Sequence, residues 1–268
     1  MPVEESANLL LLVAALAQAE GSASFAEKYW PALTKWAEYL KAKGFDPEKQ
    51  LCTDDFAGHL AHNVNLSAKA ILALGGYARL CEKLKRDDDA KSYRALAEQF
   101  ASRWLKDADD GDHFRLTFDG AGSWSQKYNL VWDDLLQLDL FPNEAKRKEM
   151  AWYRQIVQRY GLPLDSRADF TKIDWAVWTA TLTGERADFE ALVNPLWDFL
   201  NESPDRVPMC DWFKTKEPRT INMIARPVVG GIFLPLLKDR ATWKRRFAEG
   251  AASSGEWAPF PVAPSGGN

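Results

Sequence analysis

The sequence predicts an all-α fold, an (α/α) toroid of about five helical hairpins. Three observations carry that reading. Segments that are apolar on nearly every side alternate with segments whose apolar residues fall on one stripe. Connections inside each such pair are short, and those between pairs are long. A helix that is apolar all round must be buried on all sides. The alternation therefore wraps an outer ring of amphipathic helices round an inner ring of buried ones.

Taken in order, residues 5–19 form the first apolar segment. Phe25, Tyr29, Leu33, Trp36 and Leu40 then recur at helical spacing, with Pro31 starting or kinking that helix. Residues 62–84 are apolar again through Leu66, Ile71, Leu72, Leu74 and Leu80, and 91–104 follow with Tyr93, Leu96, Phe100 and Trp104 on one stripe. Three more pairs are predicted: 128–138 with 144–160, 171–183 with 186–200, and 226–237 with 242–247. Pro195 and Pro235 fall inside helical segments and predict kinks or early ends there. The alternation at 113–118 predicts a short strand in one long loop. The toroid occupies 1–250, and 251–268 form a tail.

Composition narrows the function. The chain has 268 residues, 46% hydrophobic, and a formal net charge of −4. Disorder and fibre are excluded, and no basic surplus exists to neutralise nucleic-acid phosphates. Cys52, Cys81 and Cys210 are too few and too scattered for a disulfide framework or a zinc site. No apolar run reaches the roughly 18 residues of a membrane span. Glu4 and Glu5 stand where a signal peptide needs positive charge, so as written the chain is expected to stay cytoplasmic.

Successive inner helices must run parallel, so all the long loops (43–61, 108–127, 161–170 and 201–225) lie at one end, over the inner-helix N-termini. Loops this long are usually functional, and helix N-termini favour anionic groups. The residues gathered there are unusually polar. They give Glu5, Asp55 and Asp174 as candidate catalytic groups. Candidate substrate-binding groups are Glu4, Asp54, Asn63, Asn65, Trp124, Lys127, Tyr128, Asp165, Arg167, Lys172, Trp175, Asp211, Trp212 and Arg226. Each has a bland alternative: first-turn acids for Glu4 and Glu5, turn caps for Asp54 and Asp55, core for the Trp residues. Ion pairing of Asp165 and Asp174 with Arg167 and Lys172 is another. His59, His62 and His113 have no metal-ligand spacing, no cofactor is expected, and a calcium held by loop carboxylates stays open.

No GxSxG elbow, HExxH, P-loop or GxGxxG occurs. What is plentiful is carboxylate and aromatic. Two opposed carboxylates with stacking Trp form the apparatus of glycoside hydrolysis.

Seven motifs carry a family resemblance. They are Pro2-Val3-Glu4-Glu5-Ser6, Gln50 to Gly58, Asn63-Val64-Asn65-Leu66, Lys127 to Asp133, Pro163-Leu164-Asp165-Ser166-Arg167, Thr171-Lys172-Ile173-Asp174-Trp175, and Ala225 to Gly231. In that order the chain resembles the glutaminase A family, and within it the six-hairpin, glycosidase-like domain. The resemblance implies an (α/α)₆ toroid, mostly in exported proteins, and hydrolysis of L-glutamine to glutamate and ammonia. Relative to that pattern one hairpin is missing. An open toroid exposes apolar flanks on its first and last hairpins, for a partner chain, a self-dimer or the tail to cover.

Three functions stay in play. In an amidohydrolase, Asp55 or Asp174 would activate water and Arg167 or Arg226 would hold the substrate carboxylate. In a glycosidase, Glu5 would pair with Asp55 or Asp174 beneath Trp124, Trp175 or Trp212. The third is a non-catalytic carbohydrate-binding or fragment module.

Overall fold

The computed structural model describes residues 1–52, 57–205, 209–222 and 224–252. Five helical pairs follow one another along the chain. The inner members are α1 (Pro2–Glu20), α4 (Val64–Lys83), the 3-10 turn Tyr128–Leu130 running into α6 (Val131–Leu136), α8 (Ile173–Ala180), and the 3-10 segment Pro227–Lys238. The outer members are α2 (Ser24–Lys28) with α3 (Trp30–Lys43), α5 (Asp87–Asp107), α7 (Asn143–Ile156), α9 (Arg186–Glu202) and α10 (Arg240–Ala252).

The local chemistry explains the boundaries. Pro2 occupies the first turn of α1, where a missing amide costs nothing, and Gly21 ends that helix at φ +72°. Pro31 likewise sits in the first turn of α3 rather than breaking it. The Asn63 side chain caps α4 by accepting the Leu66 amide at 2.9 Å. Asp133, buried, accepts the Leu140 and Phe141 amides and so closes the turn from α6 into α7.

α4 is the axis of the core and is buried continuously from Val64 to Ala78. Gly75 and Gly76 let its neighbours close in, since a Cβ on Gly75 would fall 2.8 Å from the Leu140 Cδ1 and one on Gly76 3.2 Å from the Ala14 Cβ. Trp104 of α5 is fully buried against it, and its indole donates to the Val64 carbonyl at 2.8 Å. Truncating such a side chain costs about 3–5 kcal/mol.

Two expectations are corrected. Residues 113–118 make bridges rather than a strand, because Leu116 and Phe118 pair with Val64 and His62 at the start of α4. The strands lie elsewhere: β1 (Phe170–Lys172) pairs antiparallel with β2 (Trp212–Lys214). Proline also acts differently at its two sites. α9 runs through Pro195 to Glu202, whereas the segment holding Pro235 is wound as a 3-10 helix throughout.

The inner segments pack in sequence, α1 on α4, α4 on 128–136, that on α8, and α8 on 227–238. Leu9 and Leu12 of α1 are exposed, as are Phe233 and Leu236 of the last inner segment. A cavity of about 570 Å³ lies between the C-terminal halves of α1 and α4, α6, and the start of α10. No helix among the described residues is long and apolar enough to cross a membrane.

Candidate functional site

The N-terminal ends of the inner segments meet at one pole. The Asn129 side chain donates to the Asn65 carbonyl at 3.1 Å, and its amide to the Asn65 Oδ1 at 3.4 Å. Tyr128 stacks on Trp175 at 4.4 Å with the rings nearly parallel. Ser125 bridges to Asp165, and Arg167 donates to the Ala57 carbonyl. Gly231 of the last segment abuts Asp174.

The centre of this pole is an ionic cluster built by the β1–β2 ribbon and the start of α8. Register sets Lys172 opposite Trp212, which brings Asp211 beside the lysine. Lys172 Nζ stands 3.0 Å from Asp211 Oδ1, with both side chains buried. Arg226 closes on Asp211 Oδ2 from the other side at 3.5 Å while remaining 43% exposed. Ala225 before it holds φ +59°, a left-handed conformation that costs an L-residue about 1–2 kcal/mol. Such strain collects at functional sites.

Asp174 opens α8 two residues after Lys172 and is 2% exposed. Burial raises its carboxyl to about 6, with Lys172 and the helix-start amides pulling the other way and Asp211 adding to the rise. Among the described residues no cation lies within ion-pair distance of it. Nearby, Trp175 Nε1 is buried without a hydrogen-bond partner among those residues, leaving one donor for a polar ligand. Lys172 lies over the Trp175 ring at 5.2 Å, and Phe170 meets Trp212 edge to face.

The other candidates divide. Trp124, Trp212, Arg167 and Glu5 are at least partly open to solvent at this pole. Asp54 and Asp55 lie outside the described residues. Glu4 is buried and held by Lys69 Nζ at 2.5 Å, with Asn8 bonded to both. Asp165 takes the Arg167 amide, Nε and Nη2 at 2.6–2.9 Å, so this carboxylate is paired within its own turn. Asn63 and Asn65 are tied up as the α4 cap and the link to Asn129. Lys127 is fully buried and gives its ammonium to the Phe114 and Ser125 carbonyls at 2.9 and 2.8 Å, beside Glu149 at 3.6 Å. Burial pulls its basicity down. Of the two suggested ion pairs, Arg167 does take Asp165, but Lys172 takes Asp211 rather than Asp174.

Two neighbours of Asp174 were not singled out as site residues by sequence reasoning. They are Gly231, which touches it, and Trp178, one helical turn on. The only sequence signal for the first was its place in the Ala225 to Gly231 motif. Among the described residues no three His, Cys, Asp or Glu side chains gather as metal ligands would.

Residues 1–236 match the glutaminase A six helical-hairpin domain. The chain belongs to that family. Glutaminase A of Aspergillus oryzae is 32% identical over 244 residues, covering 88% of this chain and 35% of the relative. A probable glutaminase of Arthroderma benhamiae is 30% identical over 247 residues, covering 80% of this chain and 28% of the relative. The chain thus spans about a third of the length of the curated relatives it matches. Family membership agrees with the all-α architecture and with hairpins as its repeating unit.

Proposed function

We propose that this chain carries the reacting centre of a glutaminase-type amidohydrolase, with Asp174 as general base. The observation that carries the reading is the state of that carboxyl: buried, raised to about 6, and without an ion pair among the described residues at a pole otherwise rich in paired charges. A base with that affinity for protons is mostly ionised at pH 7 yet still able to accept one. Buried carboxyls perturbed in this way are functional candidates on physical grounds. The names of the relatives support the choice of an amide substrate.

The chemistry balances with one water. Asp174 takes a proton as the water oxygen attacks the side-chain amide carbon of L-glutamine. The tetrahedral intermediate collapses, the C–N bond breaks, and the same proton passes to the departing nitrogen, giving glutamate and ammonia. Arg226 is the cation placed to receive the substrate α-carboxylate, since its planar fork matches a carboxylate and it remains solvent-facing. Arg167 is held more tightly, with Asp165 on its fork at 2.6–2.9 Å against 3.5 Å between Arg226 and Asp211.

A glycosidase is the second reading, favoured by the rings of Tyr128, Trp175 and Trp212 round the Asp174–Asp211 pair. It needs a second working carboxylate, for which exposed Glu5 is the candidate. One assay separates them: ammonia release from glutamine against hydrolysis of nitrophenyl glycosides. The amidohydrolase reading expects glutamine turnover that falls at least about 100-fold in Asp174→Asn with the helical circular dichroism intact. Glycoside turnover without ammonia release rejects it.

A further inference from the structure

Gly231 differs from its neighbour Gly230. A Cβ added to Gly230 would meet nothing within 4 Å. One added to Gly231 would stand 3.1 Å from the Asp174 Cβ and 3.5 Å from its Oδ2. The backbone φ of Gly231 is not in the left-handed region, so conformation does not demand glycine there. Close approach does: the main chain of 227–238 rests against the carboxyl with little room for a side chain.

The same contact is pinned from α8. Trp178 lies four residues after Asp174, so both project from one face of the helix. Its indole Nε1 donates to the Gly231 carbonyl at 2.7 Å. Trp178 is itself held edge-on by Trp132 and Trp175. At the far end of the segment, Lys238 Nζ donates to the Thr181 carbonyl at 2.6 Å and to Asp134 at 2.9 Å. Arg226 immediately precedes this segment, so the same stretch of chain carries the cation and covers the acid.

We propose that Gly231 and Trp178 are positioning residues for Asp174, a clasp that seats the 227–238 backbone over one side of its carboxyl and keeps bulk solvent from it. The proposal rests on Asp174 being the reacting carboxylate. The charged groups facing Asp174 are Lys172 from β1 and Asp211 from the turn before β2, with Arg226 acting through Asp211. Neither clasp residue is charged, so altering the clasp changes the hydration of Asp174 and leaves those charges in place.

The test uses the full chain with Trp178→Phe, which keeps a smaller aromatic ring and removes the donor, and Gly231→Ala, which wedges the contact. Carboxyl carbon NMR follows the Asp174 titration, assigned by its loss in Asp174→Asn, alongside the acid limb of ammonia release. In both variants the midpoint is expected to fall by about one unit as water reaches the carboxyl, and the acid limb to move with it. A group that merely stabilises the fold would lower the melting temperature and leave the midpoint unmoved. Wild-type midpoints in the folded variants overturn the clasp; if Gly231→Ala does not fold, Trp178→Phe decides alone. Because the titration needs no turnover, the clasp is judged even if glutamine proves not to be the substrate.

Discussion

Lys172 and Asp211 face each other at 3.0 Å, both nearly out of water, where β1 and β2 pair at the inner-helix pole. The contact is made by two segments some forty residues apart in the chain, and among the described residues it leaves Asp174 beside the pair without a cation of its own. Breaking one partner of a buried pair strands the other charge and costs about 3–5 kcal/mol. Lys172→Met leaves Asp211 with Arg226 at 3.5 Å, so it is expected to lower stability by less than that amount in urea unfolding. It also removes the charge that restrains the Asp174 proton, so the acid limb should move to higher pH. Asp211→Asn should move it to lower pH, because Asp211 adds to the rise.

Asp174 sets a pH dependence of stability with a definite sign. Its carboxyl titrates near 6 when folded, against an ordinary value of 3.8. Between those values the folded state holds the proton more often than the unfolded state, so stability falls as pH rises through that window. The loss is about 3 kcal/mol at 1.36 kcal/mol per unit. Asp174→Asn abolishes this contribution. The mutant is expected to lose less stability than wild type between pH 4 and pH 7 in paired urea titrations, while losing turnover. Equal pH slopes for the two proteins would show that the carboxyl is not raised.

Lys127 behaves as a strut of the fold. Its ammonium ties the Phe114 and Ser125 carbonyls to Glu149, and the Tyr153 hydroxyl bonds both Glu149 and the Ser125 carbonyl. Lys127→Met is expected to destabilise by about 3–5 kcal/mol, since it leaves a buried carboxylate unpaired. Tyr153→Phe should cost about 1–3 kcal/mol. Any activity that survives should keep the wild-type KM, measurable well below the melting point.

Glu4 and Glu5 are adjacent and opposite in fate. Glu4 is buried against Lys69, and Glu5 is exposed. Glu4→Ala should cost about 3–5 kcal/mol, whereas Glu5→Gln should stay within about 0.5 kcal/mol. The amidohydrolase reading also expects Glu5→Gln to retain glutamine turnover. A hundredfold loss there would favour the paired-carboxylate chemistry of a glycosidase.

The periodicity of apolar residues was enough to give five hairpins, because burial on all sides and burial on one side write different patterns. It left Pro31 as a start or a kink, and put the loops at one pole. It missed the ribbon of 170–172 with 212–214, since each strand is only three residues long and the pairing is non-local. It read 113–118 as a strand because alternation reports a half-buried backbone but not what that backbone pairs with.

The candidate site was legible as a list of polar residues at helix starts, and the list could not be sorted. Glu4, Asn63, Asn65, Lys127 and Asp165 look the same in sequence as Lys172, Asp174, Asp211 and Arg226. For Glu4 and Lys172 the deciding partners, Lys69 and Asp211, lie 65 and 39 residues away in the chain. The sequence by itself determined the hairpins, their order and the family. Only the tertiary structure decided which carboxyl is buried alone, because desolvation and Coulomb attraction depend on distance in space, and the chain does not encode that distance locally.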